Sequence, residues 1–84
     1  MSYPSTEIGR ADMGYAKVIW VSPLASGWTV RCAELEPLVF RSGRRAEEQA
    51  RALARCMANL GRHAEVRIQD RSMNLVGAQD YPAR

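Results

Sequence analysis

Apolar residues recur with a helical period in one stretch of the chain, Arg44 to Gly61, and with a two-residue period on either side of it. Wound at about 100° per residue, RRAEEQARALARCMANLG places Ala46, Ala50, Leu53, Ala54, Met57 and Leu60 on one face. The spacing predicts a single amphipathic helix. Ser42 supplies an N-cap hydroxyl in front of it, and Gly61 supplies the residue without a Cβ that a helix C′ position favours. Upstream, AKVIWVS is rich in β-branched and aromatic residues and is expected to end at Pro23, which has no N–H to donate. PLASG is a loop, and WTVRCA alternates, with Trp28, Val30 and Cys32 on the side expected to face the helix and Thr29 and Arg31 on the other. Leu38 to Arg41 forms a short third strand. Beyond the helix, Ala64 to Gln69 alternates again, DRSMN has turn chemistry, and Leu75 to Ala78 returns as a fifth strand weakened by Gly77. The tail from Asp80 is expected to fray.

These elements define an α+β fold: a small antiparallel sheet, in the order strand, strand, strand, helix, strand, strand, with one helix on one face. Met1 to Gly14 shows neither period and is read as an arm before a single domain over residues 15–81. A chain of 84 residues, 46% hydrophobic and 25% charged, forms one core and has little room for a deep enclosed active site.

Glycine and tryptophan at the start of the second strand and the serine-led helix carry a resemblance. Gly27, Trp28, Val30, Arg31, Phe40, Ser42, Ala46, Ala50 and Arg51, then Val66 and Ile68 before Asp70, resemble a small bacterial domain family of unknown function. Its pattern is a Gly-Trp-x-Val-Arg/Lys strand, a Phe-containing strand and a Ser/Thr-started Ala-x-x-x-Ala-Arg helix. The resemblance implies this fold and no catalytic residue. Two positions depart from it. Arg45 stands where a capping-box glutamate would bond back to the cap, and Met73 stands where a hairpin glycine is usual, which shifts the left-handed residue to Asn74.

The candidate chemistry is sparse. His63 is the only histidine and is read as a solvated loop residue; Cys32 and Cys56 lack CxxC spacing and are read as small buried hydrophobes. No metal or cofactor is implied and no enzymatic activity is expected. No run of about 20 apolar residues is present to span a membrane, no signal-peptide layout precedes the domain, and the protein is placed in the cytoplasm.

Charge and apolar parity suggest two surfaces. Between Arg41 and Arg62 six arginines stand against Glu47 and Glu48, and Arg44, Arg51, Arg55 and Arg62 form a basic stripe opposite the apolar helix face. Guanidinium groups suit phosphates, so this stripe is a candidate nucleic-acid contact. Strand one is apolar on both faces from Val18 to Val21, whereas a strand with one solvated face alternates. Ile19, Trp20 and Val21, with Thr29 and Arg31 beside them, are therefore the candidate self-association surface, the inward parity of strand one being left open. Self-association as a homodimer, or contact with a protein partner through the sheet, is the leading functional expectation. Nucleic-acid binding by the helix is the alternative.

Overall fold

The structure is a computed structural model and describes residues 16–33 and 35–84. The expected arm, Met1 to Gly14, lies outside the described residues. Among the described residues five strands and one helix follow in the expected order: β1 (Lys17–Leu24), β2 (Gly27–Cys32), β3 (Leu38–Phe40), α1 (Gly43–Asn59), β4 (Ala64–Gln69) and β5 (Leu75–Tyr81). They form one five-stranded sheet, β3-β2-β1-β4-β5, with α1 across one face.

The sheet is mixed rather than wholly antiparallel. β1–β2, β2–β3 and β4–β5 are antiparallel, but β4 runs parallel to β1, from Lys17 opposite Ala64 to Val21 opposite Ile68. Direction explains the difference. Two turns bring β3 back to the direction of β1, α1 then returns the chain across the sheet, and β4 starts again from the same end. β1 thereby becomes the central strand, flanked on both edges.

Pairing also fixes the parity of β1. Ile19 and Val21 stand beside Cys32 and Val30 on one side and Val66 and Ile68 on the other, all facing α1. Both are fully buried, at 0% exposure. Their assignment to a self-association surface is thus corrected: they belong to the core, and Trp20 is the residue that faces away.

The helix meets the sheet through alanine. Ala46, Ala50, Ala54 and Ala58 are buried along one i, i+4 row, while Leu53 and Met57 flank it half-buried. Methyl groups leave the helix backbone free to lie close over Ile19, Val21, Val30 and Val66. The row drifts around the helix as it advances, so Leu60, expected on this face, falls off its edge as the C-cap residue and is 75% exposed. Gly43 shows the same close approach at the other end, since a Cβ there would come within 2.8 Å of the Trp28 indole.

Both helix ends are capped as their residues imply. Ser42 Oγ accepts from the Arg45 N–H at 3.2 Å. At the C-terminus the Gly61 N–H donates to Ala58 and the Arg62 N–H to Met57, at 3.0 and 2.9 Å. This is a Schellman closure, and Gly61 takes its left-handed residue at φ 86°.

Two strand ends and one turn residue differ from the pattern for reasons the pairing shows. Pro23 lies inside β1, opposite Trp28, because the pairing to β4 has already ended at Val21. β5 extends through Tyr81 rather than fraying at Asp80, since Asp80 and Tyr81 pair with Glu65 and Ala64, and the Arg84 N–H reaches Ala58 O at 2.9 Å. In the last turn Met73, not Asn74, is left-handed, at φ 66°. Asp70 holds it there: its carboxylate accepts from the Ser72 and Asn74 N–H groups at 2.8 and 3.0 Å, and its carbonyl accepts from Met73 at 2.9 Å.

Candidate interaction face of the sheet

The sheet face away from α1 is assembled from alternate residues of all five strands, and the registers place them in rows. Arg31, Trp20, Arg67 and Ala78 are directly opposite one another across β2, β1, β4 and β5. Val18, Glu65 and Asp80 form the next row, and Val39, Thr29, Ser22, Gln69 and Leu75 the row on the other side. A tryptophan in the middle of the sheet is thus flanked on both neighbouring strands by arginine.

The two arginines differ. Arg67 lies over the Trp20 ring, its guanidinium carbon 5.5 Å from the centroid, and it is held by Glu65 at 3.0 Å. The ring quadrupole and the carboxylate both favour the cation there. Arg31 is exposed and makes no ion pair among the described residues. Beside it a shallow open depression of about 510 Å³ is lined by Val18, Trp20, Arg31, Cys32, Leu35 and Pro37, among others.

Not all of the face is a contact surface. Thr29 is outward but only 6% exposed, and its hydroxyl donates to Leu38 O at 3.0 Å, tying β2 to the strand-three side. Ser22 Oγ similarly donates to Gln69 Oε1 at 2.6 Å, closing β1 to β4. Both polar groups are satisfied within the sheet. The accessible apolar groups stand at the edges, Val39 at 68% and Leu75 at 56% exposure.

The helix stripe is electrostatically divided. Arg44 pairs with Glu48 at 3.5 Å and Arg51 with Glu47 at 3.2 Å, both in i, i+4 geometry. Arg55 and Arg62 are exposed and without an ion pair among the described residues, and Arg62 lies beyond the helix. Half of the expected basic band is therefore neutralised within the helix itself.

His63, read as a solvated loop residue, instead bonds through Nε2 to Asp80 Oδ1 and fastens the end of β5 to the α1–β4 connection. Cys32 is half-buried on the helix side as expected, whereas Cys56, read as buried, is exposed because the alanine row turns away from it. Among the described residues no group of three or more His, Cys, Asp or Glu could hold a metal ion, and no helix is long and apolar enough to cross a membrane.

Of the five residues expected to form the sheet surface, Trp20, Thr29 and Arg31 lie on it and Ile19 and Val21 do not. Val18, Val39, Arg67, Leu75 and Asp80 join it. The alternation of β4 already separated Glu65, Arg67 and Gln69 from the helix side. What the alternation lacked was the parallel register that sets Arg67 against Trp20. The chain matches no protein-family model, no curated protein and no solved structure.

Proposed function

We propose that the chain is a small non-enzymatic binding or assembly module of the cytoplasm that works through the sheet face opposite α1, by self-association or by contact with a protein partner. The observation that carries this reading is the Arg31–Trp20–Arg67 row. A half-buried tryptophan next to an arginine without an ion pair among the described residues, on the face that α1 does not cover, combines two of the residue types enriched at interface hot spots. Val39 and Leu75 add apolar area at the rims.

Nucleic-acid binding by α1 is the competing reading, and it rests on Arg55 and Arg62. The ion pairs of Arg44 and Arg51 weigh against it, because each such pair lowers the number of cations free to displace counterions. Backbone-amide NMR spectra distinguish the two. Shifts at Val18, Trp20, Arg31 and Arg67 as protein concentration rises, with none at Arg55 and Arg62 on adding duplex or single-stranded oligonucleotide at low salt, support the sheet. Oligonucleotide shifts centred on Arg55 and Arg62, with the sheet silent, would replace it by the helix.

A further inference from the structure

The occupant of the open face can be read from how its charge and apolar groups are laid out, an inference that rests on the sheet-face reading above. We propose that the face binds a second copy of the same chain, sheet against sheet, about a two-fold axis parallel to the strands and running between β1 and β4.

The four longer strands already have the symmetry this requires. In the order β2-β1-β4-β5 the two inner strands run parallel and the two outer ones run opposite to them. An axis along the β1–β4 seam exchanges β1 with β4 and β2 with β5 without reversing any strand. Two sheets stacked this way lie aligned, which is the common mode of face-to-face sheet packing. β2 of one copy then crosses over β5 of the other, and β1 over β4.

The side chains on those strands are unlike across the axis and so complementary in the pair. Arg31, a cation without an ion pair among the described residues, is on β2; Asp80, whose side chain is 58% exposed although it bonds to His63, is on β5 one row away. In the stacked pair Arg31 lies over the partner's Ala78, with the partner's Asp80 two residues along that strand, about 7 Å, within an arginine's reach. Trp20 comes over the partner's Arg67, which meets a second ring face. Two of the exposed apolar groups, Val39 on β3 and Leu75 on β5, occupy opposite ends of one row, and the same rotation brings each towards the other's counterpart. One operation thus opposes cation with anion and apolar with apolar at both ends of the interface, as an isologous contact needs. The alternative rotation, about an axis perpendicular to the strands, brings β2 over β2 and sets the Arg31 pair towards each other.

Sedimentation of the full chain tests the arrangement, with Arg31→Asp, Asp80→Arg and the double variant. Both positions are exposed, and circular dichroism verifies that each variant is folded. The expected result is a dimer for the wild type, a dissociation constant raised at least about tenfold by either single change through like-charge opposition, and recovery in the double variant. A single-chain mass for the wild type at high micromolar concentration overturns the pair and leaves the face to the segment 1–15 or to another protein. A wild-type dimer indifferent to either single change overturns the face itself. Dissociation by the single changes without recovery in the double retains the face and overturns the two-fold arrangement. Single-stranded oligonucleotide binding that is lost with Arg31→Asp and not restored in the double variant would assign the face to nucleic acid.

Discussion

On one side of the sheet the contact surface is methyl and branched aliphatic: four alanines of α1 against Ile19, Val21, Val30 and Val66, all nearly without exposure. On the other side stand a tryptophan between arginines, two hydroxyls satisfied inside the sheet, and aliphatic groups left in water at the rims. Both faces are drawn from the same strands, one residue out of step. The first owes its stability to close fit, which is achieved only with small side chains on the helix. The second has its internal hydrogen bonds made, while Arg31 and the apolar rims have no counterpart among the described residues. Ile19 and Trp20 are neighbours in sequence and stand on opposite faces, one in the core and the other on the face proposed for association.

Three substitutions sharpen that contrast, and chemical denaturation measures each. Ile19→Ala removes aliphatic volume from the centre of the covered face, and a loss of about 2–5 kcal/mol is expected, as for other buried isoleucines. A loss below about 1 kcal/mol would mean the covered face is not the core. Ala50→Leu adds volume where α1 lies over the sheet, and overpacking is expected to cost about 1–3 kcal/mol. A neutral result would show that the alanine row is not closely packed. Thr29→Val keeps the shape of a buried outward residue and deletes its bond to Leu38, so a change of about 0.5–1.5 kcal/mol is expected. An effect as large as that of Ile19→Ala would erase the distinction between the faces.

The helix, its caps and the alternating strands were legible because each is a local pattern. Ser42 and Gly61 act at the ends where their chemistry places them, and β4 runs from Ala64 to Gln69 as its alternation implies. The run Val18 to Val21 was not decidable alone, since every residue in it is apolar and either parity is self-consistent. Partners fifty or so positions away settle it, through a register no local pattern carries. Ala46, Ala50 and Ala54 lie on the face the period gives them, but Ala58 rather than Leu60 completes the row: a methyl group signals little hydrophobicity, yet in this sheet–helix contact its smallness is what the geometry uses. Asp80 and Tyr81 looked like tail because the residues that receive them, Glu65 and Ala64, lie at the far end of the neighbouring strand β4, where no local pattern marks the pairing. Of the candidate face, Trp20 and Arg31 were visible as outward possibilities; the arginine opposite them on β4 required the parallel pairing.

That parallel pairing bears on how the chain reaches its native state. β1 with β2, and β4 with β5, are joined by short connections and can close as separate hairpins on a scale of about microseconds. Between them lies one seam, whose Ser22–Gln69 bond joins groups 47 positions apart with the helix spanning the gap. Loop-closure entropy falls almost wholly on that single event. The expected kinetic picture is therefore two fast local units and one slow zipper. Until the zipper closes, β1 and β4 each present an unpaired edge, and it is in that interval that the chain is most exposed to pairing with a neighbour instead of with itself.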